Sequence, residues 1–254
     1  DEALTLNETR LRSLVSIMQH RAVNEQEFLD YALGEAIKLS SSEIGYIYHY
    51  SEEMREFTLN TWSQGVMEIC SITEPRSVYQ LEKTGVWGEV VRRRQPVVLN
   101  DFAAAHPAKK GFPEGHAPLK SFLSIPILSD AKIIAVLGVA NKKTDYTDTD
   151  VLQLTLLMDG VFRELERVHA EEARRESDER HRIIFEMSHD ALMTLSPPDW
   201  CFTSCNRATL DVFRFKDEAD FLALTPMLLS PPTQPDGSDS FVKARHHIEQ
   251  AVRE

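Results

Sequence analysis

The sequence of 254 residues is 42% hydrophobic and 27% charged, the balance of a globular protein with one large or two ordinary domains. Its formal net charge of −12 disfavours a nucleic acid partner, because an acidic surface repels a phosphate backbone. No apolar stretch approaches the roughly 20 residues that cross a bilayer, and the N-terminus lacks the basic and then apolar order of a signal peptide. We therefore expect a cytoplasmic protein without a membrane segment in this chain.

Two helices are predicted at the start of the chain. The first covers residues 1–22, and the second begins after Asn24, a capping residue with Glu27 three positions later, and ends near Leu39. The apolar residues of the first helix form a narrow stripe at helical spacing, which consists of Leu11, Leu14, Val15 and Met18. We expect this helix to contribute to a dimer.

The next part of the chain has the alternating pattern of strands. Residues 44–50 and 57–62 predict a hairpin, and residues 85–91 predict a short amphipathic helix. A short strand follows at residues 97–99, and residues 103–118 form a long loop with three prolines and no periodicity. Two strong strands are predicted last, at residues 122–128 and 133–140.

A long helix is predicted from Thr147, with Asp150 as its capping partner. Apolar residues alternate at spacings of three and four, as in the seam of a coiled coil: Leu154, Leu157, Val161, Leu165 and Val168. We interpret this seam as a dimer contact. The almost wholly charged residues 169–182 then predict a helical signalling linker.

Residues 183–254 predict a second, smaller unit. Residues 190–195 and 200–204 have strand character and are separated by the turn Ser-Pro-Pro-Asp at residues 196–199. Helical patterns follow at residues 206–213, 219–224 and 241–252.

The first unit, residues 23–168, resembles the GAF domain. The motif TGVWG at residues 84–88 and the strand PVVLND at 96–101 lie where GAF domains have their central helix and following strand. The strand LSIPI at residues 123–127 resembles the GAF pattern S-x-P-[IVL], and VLGVANK at 136–142 resembles the next strand, which ends in N-K. The resemblance implies a fold of mixed helices and strands, α/β in the broad sense and α+β in the strict one. Its antiparallel sheet is flanked by helices.

The second unit resembles the N-terminal part of a PAS domain. Residues 184–186 with 190–192 resemble the start of that family, and Asn206-Arg207-Ala208 resembles the N-x-A that opens its first helix. The residues after this helix, Phe213-Arg214-Phe215, resemble its aromatic end. We therefore expect a partial PAS-like unit.

The resemblance to GAF domains implies a ligand site in the middle of the first unit, although the same aromatic residues are equally suited to a core. The loop from Asp101 to Lys120, which follows Phe102, is expected to lie over this site. The ligand-binding candidates are Trp62, Tyr79, Trp87, Asp101, His116, Ser124, Asn141 and Lys142.

Two sets of residues point to more specific ligands. Asn141-Lys142 with Tyr146 and Asp150 resembles the set that supports the nucleotide in cyclic-nucleotide-binding GAF domains, but Asp150 also suits a capping box and Lys142 could simply pair with it. His106, His116 and Cys70 could ligate a metal or haem, but their spacing fits ordinary surface-loop residues better. The sequence identifies no cofactor.

The sequence contains no catalytic motif of the G-x-S-x-G, P-loop or H-E-x-x-H type. The three cysteines, Cys70, Cys201 and Cys205, are odd in number and form no C-x-x-C, which indicates reduced thiols without a zinc site. One alternative is a cysteine-dependent enzyme such as the GAF-fold free-methionine-sulfoxide reductases, although Cys70 lacks a second cysteine in the GAF stretch.

Together these features predict a non-catalytic sensory module of a bacterial-type signal-transduction protein. A small ligand or partner would shift the GAF unit between two packings, and a dimeric helix would relay the change. The output domain would be a histidine kinase of a two-component system or a diguanylate cyclase (GGDEF) domain, as in the arrays that the chain resembles. The alternative from another class is a dimerisation scaffold without a ligand.

Overall fold

The computed structural model describes residues 2–20, 22–63, 78–109 and 118–253. Within those residues the chain divides into two compact units, residues 1–169 and residues 170–254. No helix of the described residues is long and apolar enough to cross a membrane.

The first unit is built on an antiparallel sheet. Its described strands are β1 (Ile44–Ser51), β2 (Glu56–Trp62), β3 (Val78–Gln80), β4 (Val97–Leu99), β5 (Phe122–Ser129) and β6 (Lys132–Ala140). They lie in the order β3-β2-β1-β6-β5-β4, so the first and last of the long strands, β1 and β6, are neighbours at the centre. The predicted α+β fold with an antiparallel sheet and flanking helices is confirmed.

Three long helices accompany this sheet: α1 (Glu2–Gln19), α2 (Glu25–Ser40) and α4 (Asp148–Met187). The side chain of Asn24 accepts a hydrogen bond from the Glu27 backbone N–H, as the sequence predicts for the start of α2. Asp150 likewise accepts from the Thr147 backbone N–H at the start of α4. Between β3 and β4 lie two short 3-10 turns, Leu81–Lys83 and Val86–Gly88, and the helix α3 (Glu89–Arg93).

The two faces of the sheet carry different side chains. Ile47, Leu123, Ile125 and Leu137 point to one face, where they pack with buried residues of α1, α2 and α4 such as Ile17, Leu29 and Leu157. We call this the helix face. The opposite face packs aromatic and branched residues of the strands with the 3-10 turns and α3. We call it the aromatic face, and its buried members include Tyr48, Tyr50, Phe57, Val90, Phe122 and Val136.

The predicted dimer seam of the long helix is wrong for four of its five residues. Leu154, Leu157, Val161 and Leu165 are buried in the core of the helix face, and only Val168 is half-buried. The sequence pattern was real, but a helix that packs on a sheet has the same apolar periodicity as a coiled coil. Beyond Val168 the apolar seam does not continue, since Ala170 and Ala173 are the only apolar residues of the linker.

The helix α4 extends five residues beyond the predicted end of the linker at residue 182, to Met187. Ion pairs one turn apart along its exposed surface, Arg167 with Glu164 and Arg182 with Glu179, support the helical conformation.

The second unit contains the hairpin β7 (Met193–Ser196) and β8 (Cys201–Cys205) and the helices α5 (Arg207–Phe213), α6 (Glu218–Leu222), α7 (Pro226–Leu229) and α8 (Ser240–Arg253). Its small core consists of Phe202, Cys205, Leu210 and Phe221. Asn206 is fully buried and caps α5, because its Oδ1 accepts from the backbone N–H groups of Leu192 and Thr209. Its Nδ2 donates to the carbonyls of Phe185 and Asp190, so one amide ties the end of α4 to the hairpin.

Candidate functional site

Trp87 is the centre of the aromatic face. It belongs to the second 3-10 turn, and its ring is tilted against Phe57 at 4.8 Å and against Tyr48 at 5.5 Å between centroids. It also meets the edges of Tyr79 at 5.5 Å and Tyr46 at 6.5 Å. Tilted and edge-on contacts are the favourable geometries for aromatic pairs, so these five rings stabilise one another.

One row of residues crosses the sheet below this cluster. Trp62 of β2 pairs with Tyr46 of β1, Tyr46 pairs with Gly138 of β6, and Gly138 pairs with Ser124 of β5. A glycine at position 138 leaves room for the Tyr46 ring, because a Cβ there would lie 2.2 Å from Cζ of Tyr46 and would displace it. The Tyr46 ring therefore lies directly on the backbone of β6.

The hydroxyl of Tyr46 has an unusual environment. It is buried, and no group among the described residues forms a hydrogen bond with it. Burial raises the pKa of Tyr46 above its ordinary value, and the Ser124 hydroxyl offsets part of that rise. The hydroxyl of Ser124, which is also fully buried, donates to the Leu137 carbonyl at 3.0 Å. Tyr46 thus keeps its proton at neutral pH, and its hydroxyl has the Ser124 side chain as a neighbour but no well-formed hydrogen bond among the described residues.

Four of the predicted ligand-binding residues lie in this region: Trp62, Tyr79, Trp87 and Ser124. Asp101 does not join them through its carboxylate, which is exposed and accepts from the backbone N–H groups of Ala103 and Ala104 in a local turn. His116 lies outside the described residues.

Asn141 and Lys142 form hydrogen bonds that hold neighbouring segments of the chain together. Asn141 adopts a left-handed conformation, its Oδ1 accepts from the Lys120 backbone N–H and its Nδ2 donates to the Pro118 carbonyl. Lys142 donates to both carboxylate oxygens of Asp150 at 2.7 Å, and both side chains are largely buried. The set that resembled a nucleotide site is therefore bonded internally, at the entrance to β5 and the start of α4.

The metal and thiol candidates gain no support from the described residues. His106 accepts the Ala108 backbone N–H through Nδ1 within its own turn, while Cys70 lies outside the described residues. The described residues contain no group of three or more histidine, cysteine, aspartate or glutamate side chains that could hold a metal ion. Cys205 is buried and burial raises the pKa of its thiol, which disfavours the nucleophilic thiolate.

Sequence reasoning missed Tyr46 and Gly138, the two residues that define the row. Both carry a signal in the sequence. Tyr46, Tyr48 and Tyr50 alternate along β1 and therefore share one face. A glycine inside a strand, such as Gly138, often marks a close approach of another group to the backbone.

The comparisons with known proteins agree with this fold. The family model described as GAF domain matches residues 22–163. The chain is 40% identical over 173 residues to the methyl sulfide methyltransferase-associated sensor of Methanosarcina acetivorans, a match that covers 68% of this chain and 17% of that protein. The chain thus spans about a sixth of the length of that relative.

Two solved structures illustrate the similarity of fold. The GAF domain of a phosphoenolpyruvate-protein phosphotransferase from Coxiella burnetii has a TM-score of 0.56 at 18% identity, covering 68% of this chain and 99% of that one. The free methionine-R-sulfoxide reductase of Neisseria meningitidis has a TM-score of 0.51 at 17% identity, covering 65% and 91%. The family match covers more than half of the chain, and the chain therefore belongs to the GAF domain family.

Proposed function

We propose that this chain is the sensory part of a signal-transduction protein and that its GAF unit binds a small ligand at the aromatic face. The observation that carries the proposal is the hydroxyl of Tyr46, which is buried and has no hydrogen-bond partner among the described residues. Such a group costs free energy unless it is satisfied, and a ligand with an acceptor atom would satisfy it. The relative from Methanosarcina acetivorans is a methyltransferase-associated sensor by name, which supports the same role.

The ligand would be small and partly apolar, with one acceptor aimed at Tyr46. The rings of Tyr46, Tyr79 and Trp87 are half-buried, so each has surface left for a partner. Aromatic surface with a single polar group is typical of small-molecule sites in proteins.

The experiment is native mass spectrometry of the purified protein before and after denaturation. We expect a small additional mass that is lost on denaturation, and we expect Tyr46→Phe to lower its occupancy. Tyr50→Phe is the matched control, since Tyr50 lies on the same strand and face four residues further along. Absence of any extra mass in the wild type, after incubation with a metabolite extract as well, would contradict ligand binding.

The scaffold without a ligand remains the second candidate, and the packing around Trp87 favours it. Four rings already contact this side chain, so the centre of the aromatic face is filled by the protein's own residues. Native mass spectrometry also distinguishes the scaffold from the ligand-binding module, because a scaffold would lose no mass on denaturation and Tyr46→Phe would change nothing.

The relay to an output domain is also a proposal. The helix α4 begins against the sheet of the GAF unit and continues without interruption to Met187. A shift of its first half, which is buried in the helix face, would therefore move its exposed second half. We propose that the second unit is PAS-like, which the capping role of Asn206 supports, and that a histidine kinase or diguanylate cyclase domain receives the signal.

The dimer that this relay requires would use exposed residues in place of the buried seam. On α1, Leu11, Val15 and Met18 are each more than half exposed, and on α4 Leu152 and Leu156 are exposed. The two helices are neighbours, because a Cβ on Gly160 of α4 would lie 2.7 Å from Cδ2 of Leu14 of α1. These apolar residues therefore form a surface that a second copy could cover.

Solution scattering at micromolar concentration tests the dimer. We expect the wild type to be dimeric and Leu11→Glu with Val15→Glu to be monomeric. Val23→Glu is the control, since Val23 is 88% exposed outside this surface. A monomeric wild type would overturn the proposed dimer while leaving ligand binding untouched.

A further inference from the structure

A single carboxylate links three elements of the first unit. Glu25 is the first residue of α2, and its Oε1 lies 3.4 Å from Nε2 of His49 on β1. Its Oε2 lies 3.2 Å from Nε2 of His169 on α4. Each oxygen of the carboxylate therefore faces its own imidazole.

The surroundings of His49 suit both charge states of its ring. Nδ2 of Asn60, on the neighbouring strand β2, lies 2.9 Å from His49 Nε2, while the buried Oδ1 of Asn60 has no partner among the described residues. The amide can donate to a neutral imidazole through Nδ2, or it can turn over and accept from a protonated one through Oδ1. His49 thus has a polar neighbour that adapts to the loss or gain of a proton.

His49 and His169 occupy positions that matter for the relay. His49 lies on β1 between Tyr48 and Tyr50, but it points to the helix face, where its ring meets the edge of Phe162 of α4 at 6.3 Å. His169 is the last residue of the first compact unit, where α4 leaves it. Glu25, which faces both imidazoles, therefore joins a strand of the aromatic site to the exit of the helix.

Other charged groups surround the same turn of α2. His20, at the end of α1, stacks on Tyr31 at 4.1 Å and lies 3.6 Å from Glu27. Asp30 of α2 accepts from Nε2 of Gln26 and from the hydroxyl of Thr61 of β2. Glu27 and Asp30 therefore have partners of their own, and Glu25 is the carboxylate that both His49 and His169 face.

We propose that Glu25, His49 and His169 form a proton-operated latch at the exit of α4. Imidazole changes its charge between pH 5 and 8. With both rings protonated, Glu25 binds β1 and α4 at once and holds the end of the GAF part of α4 on α2. As the pH rises and the rings become neutral, the ion pairs are lost and this turn of α4 is released. The latch would modulate the proposed relay, and its significance for signalling rests on that proposed function.

The effect is expected to be local and modest. His169 is about half exposed, and exposed ion pairs contribute little to stability. Such a contribution is enough to change the equilibrium constant for local opening of one helical turn by a few-fold, while the rest of the fold stays intact.

Hydrogen exchange of the amides of residues 165–171, corrected for the intrinsic rate at each pH, tests the latch. We expect protection to be about two- to fivefold higher at pH 6 than at pH 8 in the wild type, which matches an exposed ion pair. Glu25→Gln and His169→Gln should each abolish this difference. His181→Gln is the matched control, because His181 lies on the exposed part of the same helix outside the latch.

The proposal is overturned if the wild type shows no pH dependence in this segment, or if His169→Gln retains it in full. Neither outcome bears on the ligand site, which Tyr46→Phe tests separately by mass spectrometry. Conversely, if hydrogen exchange shows the expected pH dependence but mass spectrometry finds no ligand, the latch stands and only the ligand site is contradicted.

Discussion

The two faces of the central sheet have opposite character. The helix face is aliphatic and closed, with Leu29, Ile47, Leu123 and Leu157 each exposing at most a trace of surface. The aromatic face combines buried rings with the half-buried Tyr46 and Trp87 and with a hydroxyl that lacks a partner among the described residues. A buried hydroxyl without a satisfied hydrogen bond costs free energy, and at the aromatic face this group lies among half-buried rings, which is the basis of the ligand site proposed there.

The strand β1 separates the two faces residue by residue. Ile47 and His49 point to the helix face, while Tyr46, Tyr48 and Tyr50 point to the aromatic face. The proposed relay would therefore have the backbone of this one strand as its path between the two faces. This geometry accounts for how a ligand on one face could influence the helices on the other.

The largest expected effect concerns the helix face. Leu157→Ala removes a fully buried side chain from a closed core, and we expect the free energy of unfolding to fall by about 2–5 kcal/mol. Leu156→Ala, at the next position of the same helix, removes an exposed side chain and should cost far less. Chemical denaturation of both variants measures the difference. Equal losses would mean that the helix face is not packed as described.

A smaller effect is expected in the row that crosses the sheet. Gly138→Ala places a methyl group 2.2 Å from Cζ of Tyr46, and the ring must move, at a cost of about 1–3 kcal/mol. Gly34→Ala is the matched control, because a Cβ on Gly34 in α2 meets no atom within 4 Å and should stabilise the helix by up to about 1 kcal/mol. If Gly138→Ala left the stability unchanged, the Tyr46 ring could not lie on the strand.

The alkaline stability of the protein reports on the Tyr46 hydroxyl. Because burial raises the pKa of Tyr46, the folded protein holds this proton where the unfolded chain has released it. The resulting stabilisation is complete below about pH 10 and is lost as the pH rises further. Chemical denaturation at several pH values between 8 and 11 should show that the free energy of unfolding falls more steeply with pH in the wild type than in Tyr46→Phe. Identical slopes would indicate that the hydroxyl is solvated.

Much of the fold could be predicted from the sequence, because each element carries its own local pattern. Asn24 and Thr147 mark the starts of α2 and α4, and the strongly apolar, β-branched runs at residues 122–128 and 133–140 give two of the strands. The short strand β3 and the helix α7 were missed, since elements of three and four residues are too short for a periodic signal.

The candidate site was only partly predictable. Trp62, Tyr79, Trp87 and Ser124 were chosen from their place in the GAF pattern, and the structure puts them on or beside the row of Tyr46. The role of Tyr46 depends on the register between β1 and β6 and on the absence of a side chain at Gly138, which a single sequence does not reveal. The same limit applies to the apolar residues of α4 that were interpreted as a dimer contact. Their periodicity indicates that one side of the helix is buried, but it does not show whether a sheet or a second helix covers that side.

The stability of Tyr46→Phe, measured by chemical denaturation of the ligand-free protein, tests the central claim most directly. Because the hydroxyl has no partner among the described residues, we expect this variant to be as stable as the wild type or more stable, by up to about 1 kcal/mol. Tyr146→Phe is the comparison, since its hydroxyl is bonded to Ser42 at 2.7 Å and its loss should cost about 0.5–1.5 kcal/mol. A comparable loss in Tyr46→Phe would show that the fold itself satisfies this hydroxyl and would contradict a ligand site built around it.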